Sequence, residues 1–205
     1  MKKVLILSFL FTLSFHFLGC KSETKKEEKK VETIKKAAFS LKESKNNIEF
    51  TAYKTTEKVP VKGQFKKVNI ISGGEGNSIK EAINNTEFSV PVSSLFTEDT
   101  SRDFKIKKFF FAVMDQTTLL SGKLVVENDS IGYTTIKMNG VTNKVPFSYT
   151  IVENEFSMNA TMDIQKWNAA AALNSLNEAC KDLHKGKDSI SKTWSDVALH
   201  IVSAF

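Results

Sequence analysis

Residues 130–164 read SIGYTTIKMNGVTNKVPFSYTIVENEFSMNATMDI, a stretch whose pattern and turns prescribe its fold. Asn139-Gly140 is a strong hairpin signal, because a type I′ turn needs positive φ at both central residues. A two-residue loop there sets Met138 opposite Val141, Ile136 opposite Asn143, Thr134 opposite Val145 and Gly132 opposite Phe147. A second two-residue loop at Glu153-Asn154 sets Ile151 opposite Phe156, Tyr149 opposite Met158, Phe147 opposite Ala160 and Val145 opposite Met162. Side chains alternate along a strand, so one face collects Ile136, Met138, Val141, Val145, Phe147, Tyr149, Ile151, Phe156, Met158 and Met162. The other face collects Thr135, Lys137, Thr142, Lys144, Ser148, Thr150, Ser157 and Asn159. A slip of one residue would scramble both sets, so turns and pattern support each other. The stretch is a three-stranded antiparallel meander with one apolar face.

Strand signals continue on both sides of it. Ala38 to Leu41, Ile48 to Ala52, Val59 to Phe65, Phe88 to Val92 and Leu120 to Glu127 each alternate or carry strand-forming residues. Pro60 and Gly63 suggest a bulge or bend within the third of these. Phe104 to Met114 is apolar enough to be a further strand, but Phe109-Phe110-Phe111 cannot all point one way, so at least one ring faces out or packs under a loop. Ser78-Ile-Lys-Glu81 fits a capping box and predicts a short helix to Asn84. From Asn168, a plausible N-cap, to Gly186 the sequence favours helix, and Ser191 to Phe205 returns to period two. A strand at the C-terminus is what a barrel needs to pair its first strand. The count is about eight strands, mostly antiparallel, with one helix near the end: an all-β fold with minor α.

The chain has 205 residues and a net charge of +6. Most of that charge lies outside the folding part. Lys2 and Lys3 begin a leader, and residues 21–36 hold seven lysines against four glutamates. From Ala37 onward 20 basic residues face 19 acidic ones, so the domain shows no electrostatic footprint for nucleic acid. Residues 1–19 read as a secretory signal peptide, with an apolar run of about 15 residues, shorter than the roughly 20 of a spanning helix. Phe17-Leu18-Gly19-Cys20 resembles the lipobox of bacterial lipoproteins, with Phe17 where Leu is usual. This implies acylation of Cys20, and a diacylated cysteine suffices for stable anchoring. The alternative is a plain signal peptide with an incidental cysteine. Residues 20–36 are then the acylated Cys20 and a disordered Lys/Glu-rich tether, and residues 37–205 the domain. The expected location is the cell envelope, exported and lipid-anchored, facing the periplasm.

Candidate sites for chemistry are few. Cys180 lies on a helical apolar stripe with Leu173, Leu176 and Leu183, which predicts burial. Cys180 and His184 are four apart, but zinc would want two more ligands and the sequence offers no Cys/His cluster. Ile71 to Ser78 is glycine-rich, without the Gly-Lys-Ser/Thr and βαβ context of a phosphate loop. No serine sits in a Gly-x-Ser-x-Gly elbow. Arg102-Asp103 is the best polar pair and reads as a structural tie at a loop. The expectation is a non-enzyme with no cofactor and no metal.

Three motifs, in order and spacing, resemble the YceI-like family of exported lipid-binding proteins. They are Val61-Lys-Gly-Gln-Phe65, then Val92-Ser-Ser-Leu-Phe-Thr97 followed by Arg102-Asp103 and Phe109-Phe110, and Met138-Asn-Gly-Val-Thr-Asn-Lys-Val145. The resemblance runs from about Ala38 to Phe205. It departs at Phe104-Lys105, where many members have His-Leu, and in the helical stretch from Asn168. It implies a lipocalin-like, eight-stranded antiparallel barrel whose interior holds a polyisoprenoid or other amphiphilic chain. The ligand-binding set would be Phe50, Phe65, Phe88, Leu124, Ile136, Phe147, Tyr149, Phe156 and Met158. Residue types alone suit a greasy tunnel and a filled core equally. A filled barrel would instead serve as an envelope scaffold or partner-binding lipoprotein, with an apolar patch outside that includes Phe110.

Overall fold

Asn139 and Gly140 adopt φ of +52° and +70°, and Glu153 adopts +53°, so the meander turns where its sequence demands. Its strands are β9 (Ile131–Met138), β10 (Val141–Val152) and β11 (Glu155–Asp163). The expected pairs Val141–Met138, Asn143–Ile136, Val145–Thr134 and Phe147–Gly132 form, as do Ile151–Phe156, Tyr149–Met158 and Phe147–Ala160. The β10–β11 ladder stops at that last pair, so Val145 and Met162 are not ladder partners. This is a computed structural model describing residues 36–205, one unit with its own core. The leader, Cys20 and the tether up to Lys35 lie outside the described residues.

Upstream come β1 (Phe39–Ser40), β2 (Lys45–Lys54), β3 (Val59–Phe65), β4 (Asn69–Ser72), β5 (Glu75–Gly76), α1 (Ile79–Ile83), β6 (Glu87–Pro91), β7 (Leu95–Phe96), α2 (Thr100–Phe109) and β8 (Leu119–Val126). Downstream come α3 (Ala170–Ala179) and β12 (Asp196–Ala204). One antiparallel sheet runs in the order β4-β6-β8-β9-β10-β11-β12-β2-β3-β7, and β1 pairs only with β5. The C-terminal strand pairs with the first long strand, Ile201 opposite Ile48. Residues 87–96 begin beside β8 and end beside β3, with a 3-10 turn at Val92–Ser94 between. This single run serves both ends of the sheet and curls it into a barrel. The all-β, antiparallel class is as expected. The main sheet has ten strands rather than eight, because that run is split by its 3-10 turn and β4 stands separately.

Three local expectations are corrected. Phe104 to Met114 is not a strand: Asp99 caps α2 by accepting from Arg102 N at 3.0 Å, and a 3-10 turn Phe111–Val113 follows. Asn168 does not cap α3. It sits in the left-handed region at φ +55°, ending the 3-10 turn Ile164–Trp167. Pro60 and Gly63 cause no bulge, since β2 and β3 stay in register from Lys54–Val59 to Ile48–Phe65. The capping box at Ser78 does form, Ser78 Oγ accepting from Glu81 N at 3.2 Å.

One end of the barrel carries α1, the β8–β9 and β10–β11 turns and the C-terminus. The other end, the helical end, carries α2, α3 and the β2–β3 and β9–β10 turns. Trp167 locks the helical end to the sheet, fully buried, its indole N–H donating to Ile136 O at 2.8 Å. Asn139 adds a second tie: its Nδ2 donates to Trp167 O at 2.8 Å and its Oδ1 accepts from Asp115 N at 2.8 Å.

Candidate functional site: an apolar cavity inside the barrel

Inward residues of β2, β3, β6, β8, β9, β11 and β12 enclose a cavity of about 220 Å³. Seven of the nine sequence-predicted site residues line it: Phe50, Phe65, Phe88, Leu124, Ile136, Phe156 and Met158. Phe147 and Tyr149 do not. They pack toward the α1 end with Phe156, Met158, Leu41, Ile79 and Ile83, a cluster of which Leu41, Ile83, Phe156 and Met158 also border the cavity. The Phe147 ring lies over Gly132, where an added Cβ would come within 2.7 Å of it, so that row has no room for a ligand. Tyr149 OH is engaged by Asn128 O, and burial raises the phenol above its ordinary range.

Two more glycine–phenylalanine rows belong to the cavity wall. Phe50 pairs with Gly63 and Phe88 with Gly122, and in each the ring lies against the glycine. An inward glycine lets a large ring lie flat on the opposite strand, so the rings line the space without blocking it.

No charged side chain lines the cavity, and its polar ones are already engaged. Asn46 Oδ1 accepts from Ser203 Oγ at 2.6 Å while its Nδ2 donates to Leu41 O at 2.9 Å. Thr134 Oγ1 donates to Thr135 O at 3.1 Å, and the Trp194 indole N–H to Thr55 O at 2.7 Å. Thr193 Oγ1 donates to Asn177 Oδ1 at 2.9 Å and lies 2.7 Å from His184 Nδ1. A polar group placed here would lose its water for no new partner, whereas an apolar chain loses nothing.

A family model for the YceI-like domain matches residues 39–202. The chain belongs to the YceI-like family. Among solved structures it is similar to a polyisoprenoid binding domain from Saccharophagus degradans implicated in plant cell wall breakdown. The identity is 12%, with a TM-score of 0.55 over 82% of this chain and 95% of that one. It is also similar to BcnA of Burkholderia cenocepacia, 13% identical, with a TM-score of 0.52 over 82% of this chain and 99% of the other. At these identities the likeness is one of fold. A search of curated proteins finds no match.

In this YceI-like domain the helical end supplies lining that sequence reasoning missed. Ile106 of α2, Phe110 and Phe111 just past its end, and Leu173 and Leu176 of α3 reach the cavity. The overlooked signal was Asp99 as a cap followed by apolar residues at 106, 110 and 114, a helical spacing. Phe110, expected on an outer patch, is buried. Arg102 and Asp103 form the structural tie read from sequence: Asp103 Oδ1 accepts from Thr97 N at 2.8 Å and Oγ1 at 2.7 Å, and Arg102 donates to Thr97 O at 3.3 Å.

Cys180 is buried as predicted, and burial pushes its thiol up, away from the reactive thiolate. Burial, with Lys54 and Lys105 nearby, lowers His184 to about 4, so the imidazole is neutral at pH 7. Among the described residues no three His, Cys, Asp or Glu side chains group as a metal site.

Proposed function

We propose that this protein binds an amphiphilic lipid of polyisoprenoid or fatty-chain type, burying its tail in the barrel, as a non-catalytic carrier or store. The observation that carries the reading is a cavity lined by apolar groups whose few polar neighbours are already hydrogen-bonded. Membership of the YceI-like family, and the polyisoprenoid binding of a similar domain, support it. Each buried methylene contributes about 0.8 kcal/mol before ordering costs. The volume bounds the ligand. Apolar cavities of about 150 Å³ take up benzene, whereas drug-sized pockets run to roughly 300–1,000 Å³. About 220 Å³ holds a short stretch of chain, so a longer tail needs the helical end to yield or must protrude. In the same reading, residues 1–19 direct export, Cys20 carries the acyl anchor and the domain stands off the membrane on its tether.

The test is to purify residues 36–205, extract them with organic solvent and identify bound lipid by mass spectrometry. Stoichiometric lipid is expected for the native sequence. Leu124→Trp, which places an indole in the void, should lose it while keeping a cooperative melt. Repeated absence of lipid from native protein, or full lipid content in Leu124→Trp, would refute the proposal.

A further inference from the structure

Helix α2 has two working faces. Ile106, and Phe110 just past the helix end, line the cavity. On the opposite side Phe104 stands 57% exposed, and exposed Val113 follows in the next turn. Lys108 Nζ lies 5.3 Å from the Phe104 ring and 5.4 Å from the Phe109 ring, so its ammonium sits against an aromatic surface. Lys105, Lys107 and Lys108 have no carboxylate partner among the described ion pairs, whereas Lys58, Lys181 and Lys185 at the same end are paired with Asp196, Glu178 and Asp182. The helix's own acids are engaged: Asp99 with Arg102, and Asp103 with Thr97. Thus Lys108 sits against an exposed ring, and two further lysines without a carboxylate partner among the described ion pairs lie on the element that also covers the cavity.

We propose that the outer face of α2 docks on an anionic lipid bilayer, with Phe104 at the interface and Lys105, Lys107 and Lys108 among the headgroups. An aromatic ring flanked by lysines suits that interface, because the ring enters the acyl boundary while the ammonium groups stay with phosphates. This contact is distinct from the expected acyl anchor at Cys20. The two are compatible. Fifteen residues, 21–35, separate Cys20 from Lys36, and extended they span about 50 Å. A nine-residue strand measures only about 30 Å, so the tether reaches past the barrel. Docking at α2 rests on the lipid-binding reading for its purpose: it sets the cavity's helical cover against the membrane, where a tail can pass without crossing water.

The experiment is co-sedimentation of residues 36–205 with vesicles of phosphatidylcholine alone or mixed with phosphatidylglycerol. The domain should bind the mixed vesicles, and added salt should weaken binding by screening. Each lysine changed to glutamine should lower affinity about fivefold. Phe104→Ser should lower it further. Phe104 and Lys108 are exposed and Lys105 and Lys107 half-exposed, and the variants should keep the native melt. Failure of the native domain to bind mixed vesicles overturns the proposal, as does equal binding to phosphatidylcholine alone or unchanged binding by Phe104→Ser with the triple glutamine variant. Solvent extraction of the same samples reads the cavity separately: lipid without docking leaves only the lipid-binding reading standing, and docking without lipid leaves only this one.

Discussion

The two walls of the barrel are packed differently. On the meander wall buried and exposed residues alternate cleanly: Ile136, Met138, Val145, Phe147, Tyr149, Phe156 and Met158 are buried, with polar residues between them. On the opposite wall, β2, β3 and β8 show no such contrast, and inward residues such as Phe50, Phe65, Leu120 and Leu124 are only half-buried. Both walls line the cavity, Ile136, Met138, Phe156 and Met158 included, but the meander's side chains stay covered by neighbours while those of β2, β3 and β8 are left partly accessible.

Substitutions can sharpen this comparison. The largest difference is expected between Phe147→Ala and Leu124→Ala. Phe147 is 3% exposed and lies outside the cavity lining, and its truncation should cost about 4 kcal/mol, including a new cavity. Leu124 already borders empty space, so its truncation should cost about 1 kcal/mol. Urea midpoints at unchanged m-value would measure both, and equal losses would break the distinction.

Next are the glycines. An added methyl at Gly132 meets the Val125 carbonyl and the Phe147 ring, neither of which has room to move, and should cost about 3 kcal/mol. At Gly63 the methyl meets the Phe50 ring and the Thr97 methyl. Phe50 can swing into the cavity, so Gly63→Ala should cost about 1 kcal/mol and reduce lipid uptake.

Smallest at neutral pH, where it vanishes, is the effect of His184 at the helical end. Its pKa is lowered from 6.5 to about 4, so between those values the unfolded chain binds a proton that the native state does not. Stability should therefore fall as pH drops from about 6.5 to about 4 and level off below. His184→Gln should remove that part of the slope in denaturant titrations across the window.

The meander was legible because two turn signals and a period of two agree residue by residue. The closing role of β12 was legible because its apolar residues return to period two after a helical stretch. Helix α2 was misread because Phe104, Ile106 and the three phenylalanines have strand propensity, which the Asp99 cap and the packing over the cavity override. Of the predicted site residues, Phe147 and Tyr149 could not be separated from the lining by alternation alone. That pattern gives the face a side chain takes, not how far along the barrel the void extends.

The pairing of β2 with β12 also bears on how the molecule comes into being. Ile48 must find Ile201, across most of the chain, whereas β9, β10 and β11 are joined by two-residue turns. The entropy of closing the long loop has to be met before any of its contacts return stability. Residues 131–163 can thus assemble early as a nucleus, while the wall that encloses the cavity waits for the last strand. During folding, the space for a ligand is the final part of the structure to exist.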